Sequence, residues 1–111
     1  MDFDVAIIGG GSAGYSAAST AQSLGARVAI IDPGPLGGLC ILKGCMPTKT
    51  ILRSSDIMAL MRRAEEFGIQ PVDPQACLPA INDRKNKLIQ DFADYRIQQL
   101  KDERFTLIQE R

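Results

Sequence analysis

Residues Asp4 to Asp32 restrict the fold more than any other part of this 111-residue chain. Asp4-Val5-Ala6-Ile7-Ile8 is a short apolar run without alternation, which predicts a strand buried on both faces. Gly9-Gly10-Gly11-Ser12-Ala13-Gly14 follows at once and supplies G-x-G-x-x-G through Gly9, Gly11 and Gly14. From Ser12 to Leu24 small residues predominate, as in a helix packed closely on a sheet, and Gly25 stops it. Arg27-Val28-Ala29-Ile30-Ile31 predicts a second buried strand, which ends on Asp32. Strand, glycine turn, helix, strand and acid together make a βαβ unit with the dinucleotide fingerprint.

Each residue type has a physical task there. Gly9 allows the tight turn, Gly11 lets a pyrophosphate approach the backbone, and Gly14 lets helix and strand pack closely. The free amides and partial positive charge at the helix start hold the phosphates. Asp32, eighteen residues after Gly14, is placed to accept hydrogen bonds from a ribose. Three spaced glycines alone are weak support, and a glycine-rich turn that merely packs is the competing reading. The surrounding strand, helix and terminal acid favour nucleotide binding. The unit by itself does not distinguish FAD from NAD.

The second informative stretch is Gly37-Gly38-Leu39-Cys40-Ile41-Leu42-Lys43-Gly44-Cys45-Met46-Pro47-Thr48-Lys49, with two of the three cysteines five residues apart. In a regular helix such residues sit roughly 7.5 Å apart along the axis, whereas disulfide-linked Cα atoms lie about 4.4–6.8 Å apart. A bridge would therefore require the backbone to bend, and Gly44 and Pro47 permit that. The spacing predicts a short helical turn, a distortion and a new helix starting near Pro47. A cysteine at a helix start is favoured as thiolate, and Lys49 adds a nearby positive charge. These features suggest a redox dithiol. A structural disulfide, half of a zinc site and a pair of inert thiols are the alternatives. The start Met1-Asp2-Phe3-Asp4 carries no charged-then-apolar leader, which argues against secretion, and a chain without histidine offers a poor zinc set.

The remaining chain predicts a helix from about Pro47 to Phe67, a loop over Gln70–Pro74, a helix from about Pro79 to Asp102, and a third strand over Arg104–Ile108. Ile81, Leu88, Phe92, Tyr95 and Leu100 form the expected apolar stripe of the last helix. Cys77 reads as an ordinary structural thiol, and Met58 and Met61 as core filler. Thirteen acidic residues balance thirteen basic ones, so neither nucleic acid nor an anionic membrane is expected as partner. No apolar run has the length of a membrane span, and a reducing, cytoplasmic setting is expected for the thiols.

An N-terminal dinucleotide unit followed by Gly-Gly-x-Cys-x-x-x-x-Cys-x-Pro-x-Lys resembles the class I pyridine nucleotide–disulfide oxidoreductases. That family includes dihydrolipoamide dehydrogenase, glutathione reductase and mercuric reductase, and the resemblance runs through essentially the whole chain. It implies an α/β, Rossmann-like FAD-binding domain. It implies that Gly9, Gly11, Ser12, Ala13 and Gly14 hold the FAD pyrophosphate, Asp32 the adenosine ribose, and Gly38, Cys40, Cys45 and Lys49 further parts of the cofactor. Cys45 would be the thiol beside the flavin, Cys40 the outer thiol that attacks substrate, and Lys49 a cation near the flavin's reactive edge. Electrons would pass from NAD(P)H through FAD and a Cys40–Cys45 disulfide to a small disulfide or a metal ion.

The chain departs from the family pattern in two ways. Leu39 stands where threonine is usual, and Ile41-Leu42-Lys43 where Val-Asn-Val or similar is usual, which removes polar contacts near the flavin. Family members are also several times longer, with an NAD(P) domain and an interface domain that supplies a histidine across a homodimer. Residues 1–111 are accordingly expected to be the N-terminal part of the FAD domain of a longer enzyme, inactive alone. The competing expectation is a small nucleotide-binding module without catalysis.

Overall fold

The computed structural model of the chain describes residues 2–110. Its elements are β1 (Val5–Ile8), α1 (Ser12–Ser23), β2 (Val28–Ile31), α2 (Gly38–Leu42), α3 (Cys45–Arg62), α4 (Leu78–Leu100) and β3 (Thr106–Ile108), with a 3₁₀ turn over Ala64–Phe67. The three strands form one parallel sheet in the order β1-β2-β3. Val5 pairs with Val28 and Ile8 with Ile31, while Ala29 pairs with Thr106 and Ile31 with Ile108. This is the expected α/β, Rossmann-like arrangement.

β2 lies between the other two strands, so its β-branched residues are buried: Val28 and Ile30 face the core with Ala18 of α1, Leu100 of α4 and Phe105. Val5, Ile7 and Tyr15 pack around that cluster. Tyr15 meets Phe105 edge to face, with ring centroids 6.2 Å apart. Leu100, fully buried, therefore joins the long helix to the sheet.

The expectation that the first strand is buried on both faces is corrected here. In β1 Val5 and Ile7 are half-buried, but Ala6 and Ile8 point away from the core and Ile8 is 89% exposed. Among the described residues β1 is an edge strand, with α1 over one face only. An apolar run signals what a strand can bury, not whether a neighbour covers it.

The helical half also differs in detail. α3 starts at Cys45, two residues before the expected Pro47, because the amides of a first helical turn have no intrahelical acceptor and proline is tolerated there. α3 ends at Arg62 and continues as the 3₁₀ turn, which Gly68 closes in a left-handed conformation with φ of 72°. α4 packs alongside α3, but its stripe is rotated from the expected one. Ala93 and Leu100 are buried and Ile81, Leu88 and Ile89 half-buried, whereas Phe92 and Tyr95 are exposed. The two large aromatic residues suggested the wrong phase. Cys77 is free and exposed at the start of α4 rather than packed as a structural thiol. The α3–α4 pair extends the molecule to 66 × 27 × 18 Å. No helix among the described residues is long and apolar enough to cross a membrane.

Two measurements check this packing. Leu100→Ala removes a fully buried side chain and is expected to lower unfolding free energy by about 2–5 kcal/mol in denaturant titration; a loss below about 1 kcal/mol would show that α4 does not seal the sheet. At the other end of the sheet Asp4 accepts hydrogen bonds from the backbone amide (2.8 Å) and guanidinium (3.0 Å) of Arg27. The Arg27 side-chain hydrogen bond, foremost, lowers the Asp4 pKa to about 2. A carboxylate with a depressed folded pKa stabilises above its unfolded pKa, and that contribution is lost as pH falls through the folded one. Asp4→Asn should therefore reduce the slope of stability against pH between about pH 4 and 2, and an identical acid limb would exclude this pair as its source.

Candidate active site

The glycine turn after β1 is shaped by close approaches that only a bare backbone allows. The Gly9 amide donates to the Ile31 carbonyl at 2.8 Å, with φ of 96°. A Cβ on Gly14 would run into the Gly9 carbonyl oxygen, so a side chain there would push α1 off β1. Leu100 packs under Gly10, where a Cβ would meet its Cδ1 at 3.0 Å. Among the described residues no side chain caps the amides at the start of α1, which leaves them available to an anion.

Asp32 stands where the fingerprint predicts, at the carboxyl end of β2. Its Oδ2 accepts the Gly10 amide at 2.7 Å and its Oδ1 accepts the Gly34 amide at 2.8 Å. The carboxylate thus ties the glycine turn to the Gly34-Pro35 turn, whose peptide bond is cis. Each oxygen keeps a further lone pair, so a ribose hydroxyl can still be accepted.

The cysteine stretch forms two helices separated by a break. Cys40 lies within α2, Lys43 and Gly44 make the turn, and Cys45 is the first residue of α3. The break brings the two Cα atoms to 5.1 Å, and the cysteines are joined as a disulfide. Gly44 permits the bend because a Cβ there would sit 3.0 Å from the Leu39 carbonyl oxygen and 3.1 Å from the Cys40 Cα. The Cys45 sulfur is at the start of an 18-residue helix. Lys49 is exposed one turn further along α3.

The two turns meet directly. Gly38, with φ of 81°, approaches Gly11 so closely that a Cβ would lie 2.6 Å from the Gly11 Cα. One cavity of about 520 Å³ results, lined by Gly9, Gly11, Ser12, Ala13 and Gly14 on one side and by Leu39, Cys40, Gly44 and Cys45 on the other. Gly38 shapes it from behind; Asp32 and Lys49 are not in its lining. The uncapped amides beside the disulfide make this cavity fit a phosphate-bearing redox cofactor.

Arg96 of α4 was not foreseen. Its guanidinium lies 4.6 Å from the centroid of the Tyr15 ring, and its Nη1 is 3.5 Å from the Gly11 carbonyl oxygen. Its Nε is buried without a hydrogen-bond partner among the described residues. The sequence signal was a cation one turn before Leu100, on the face that the misjudged stripe left to solvent.

Residues 3–110 match the family described as pyridine nucleotide-disulphide oxidoreductase. The chain is 36% identical over 92 residues to a dihydrolipoyl dehydrogenase of Bacillus subtilis, covering 83% of this chain and 19% of that protein. It is 35% identical over 102 residues to a mercuric reductase of Lysinibacillus sphaericus, covering 92% of this chain and 19% of that protein. Among solved structures, the HOCl-induced flavoprotein disulfide reductase RclA of Escherichia coli, in its Cu(II) complex, superposes with a TM-score of 0.73 at 27% identity. That match covers 96% of this chain and 21% of RclA. The chain thus spans about a fifth of the length of these relatives. With its parallel sheet, glycine turn and Cys40–Cys45 disulfide, it belongs to the pyridine nucleotide–disulphide oxidoreductase family.

Proposed function

We propose that these residues are the N-terminal, FAD- and dithiol-bearing part of a flavoprotein disulfide oxidoreductase, with the NAD(P) and interface domains in chain outside them. The observation that carries this reading is the single cavity onto which both the glycine turn and the Cys40–Cys45 disulfide open. The amides of Ser12, Ala13 and Gly14 would hold the pyrophosphate, with Gly9, Gly11 and Gly38 keeping the backbone bare, and Asp32 would accept the ribose. Bound FAD would supply the electron pair, taken from NAD(P)H, that opens the disulfide.

The chain's own residues divide the later steps. The positive end of α3 stabilises negative charge on the Cys45 sulfur, and Lys49 one turn on adds to it. Cys40, in the separate α2 turn, is the thiol assigned to attack substrate. Its thiolate displaces one sulfur of a disulfide as a thiolate. Cys45 then attacks the Cys40 sulfur of the mixed disulfide, so the Cys40–Cys45 bond re-forms and the second substrate sulfur leaves as a thiolate. A small disulfide is the substrate best suited to this exchange. A soft metal ion is the second class, favoured by the likeness to a mercuric reductase. A reducing compartment, such as the cytoplasm, and a homodimeric parent fit the same reading.

The test is made on the complete gene product. It should release FAD on denaturation and reduce a disulfide with NAD(P)H, and Cys40→Ser or Cys45→Ser should each lower that turnover by about a thousandfold or more while FAD stays bound. Turnover indifferent to both cysteines would overturn the proposal. A product of this chain's own size that binds nucleotide regardless of the cysteines would favour the small module instead. Gly38→Ala should weaken FAD binding about tenfold or more, because it forces the two turns apart and strains a left-handed residue. Unchanged affinity on equilibrium titration would mean that the turns need not touch.

A further inference from the structure

The dithiol lies in a segment whose charge is one-sided. From Pro33 through Ser55 the chain carries Lys43, Lys49 and Arg53 and no carboxylate, although the whole chain has a net charge of zero. All three cations are exposed, and among the described residues none is in an ion pair. Lys43 caps α2, between the two cysteines. In α3 Cys45, Lys49 and Arg53 follow at i, i+4 and i+8, on one side of the helix. The fold adds a cation from elsewhere: the Arg84 guanidinium of α4 lies 3.2 Å from the carbonyl oxygen of Thr50, the residue after Lys49.

The carboxylates near this segment do not cancel the charge of Lys43 and Lys49. Asp56 of α3 is one turn beyond Arg53 and offsets that cation. It is, however, eleven residues beyond Cys45, about 16 Å along the axis and outside a screening length of about 8 Å at physiological salt, so Lys43 and Lys49 set the charge at the dithiol. Asp32 is engaged by two backbone amides. Asp83, next to Arg84, pairs with none of these cations within the chain.

We infer that this dithiol selects disulfides that carry anionic groups, carboxylate or phosphate, close to the sulfur–sulfur bond. The inference rests on the proposed redox role of Cys40 and Cys45 and names the substrate class of that same site. A thiolate nucleophile repels an anionic disulfide, and fixed cations around the thiolate reverse that repulsion. Lys43 is the principal recognition residue, because Lys49 is assigned to the flavin. In the reaction one protein thiolate attacks the probe's sulfur and one thiolate leaves. The second protein thiolate then attacks the mixed disulfide, the Cys40–Cys45 bond forms and the second thiolate leaves. Two electrons pass to the probe, and the two thiol protons go to the departing thiolates.

The experiment reduces the full chain with dithiothreitol, removes the reductant and mixes the dithiol with three small disulfides. These are dianionic 3,3′-dithiodipropionate, dicationic cystamine and neutral bis(2-hydroxyethyl) disulfide, with free dithiothreitol run in parallel to normalise their intrinsic reactivities. The normalised rate should favour the dianion over the dication by about tenfold at an ionic strength of about 10 mM, falling below about threefold at about 0.5 M. Lys43→Glu should bring the ratio to about one and Lys43→Gln to an intermediate value, so the result does not hang on one variant's folding. Arg63→Glu, the same charge change at the far end of α3, about 27 Å from Cys45 along the helix axis, should leave the ratio unaltered. A wild-type ratio of one or less, a ratio indifferent to salt, or no change in either Lys43 variant overturns the preference alone. Failure to exchange with all three probes overturns the redox role as well.

Discussion

The backbone contact between Gly11 and Gly38 is the constraint on which the rest of the site depends. The turn after β1 and the turn that opens α2 both lie beyond the carboxyl ends of parallel strands. Although Gly11 and Gly38 are 27 residues apart in sequence, a single added carbon at Gly38 would strike Gly11. This contact puts the disulfide on the wall of the cavity that begins at the uncapped amides of α1. Such bare turns are entropically costly to order. Asp32 offsets part of that cost by accepting one amide from each side, and Leu100 packs beneath Gly10. Polar and apolar supports thus hold one glycine turn from two directions.

The disulfide is asymmetric in a way that suits exchange chemistry. Cys45 starts a long helix and feels its positive end, while Cys40 sits inside a five-residue helix beyond the break. The two sulfurs occupy different fields although they are five residues apart in sequence. Lys43 stands in the break itself, where the sequence departs from the family pattern. Net neutrality of the whole chain conceals this, because the carboxylates that balance Lys43, Lys49 and Arg53 lie outside the segment.

Local features were read correctly from sequence, and features set by distant partners were not. The strand–turn–helix–strand unit follows from short-range pattern, since each piece carries its own period and punctuation. The break between Cys40 and Cys45 also follows, because a regular helix cannot bring those two residues within bonding reach. The open face of Ala6 and Ile8 could not be read, as it depends on which strands flank β1. The phase of α4 was misjudged because Phe92 and Tyr95 outweighed Ala93, a small residue that packs closely against its neighbours. Arg96 escaped notice for a related reason: its partners, Tyr15 and Gly11, are more than eighty residues away in sequence.

The strand order carries a consequence for how the chain assembles. Val5 meets Val28 after 23 residues, whereas Ala29 meets Thr106 only after 77. Closing the longer loop costs about 1 kcal/mol more in chain entropy, and its strand brings only three residues to the ladder. The β1–α1–β2 unit is therefore the natural folding nucleus, and docking of β3 with the end of α4 is the late step. Leu100 and Phe105, which complete the core, arrive last. The glycine turn is outlined early in folding and becomes rigid only when the far end of the chain returns to it.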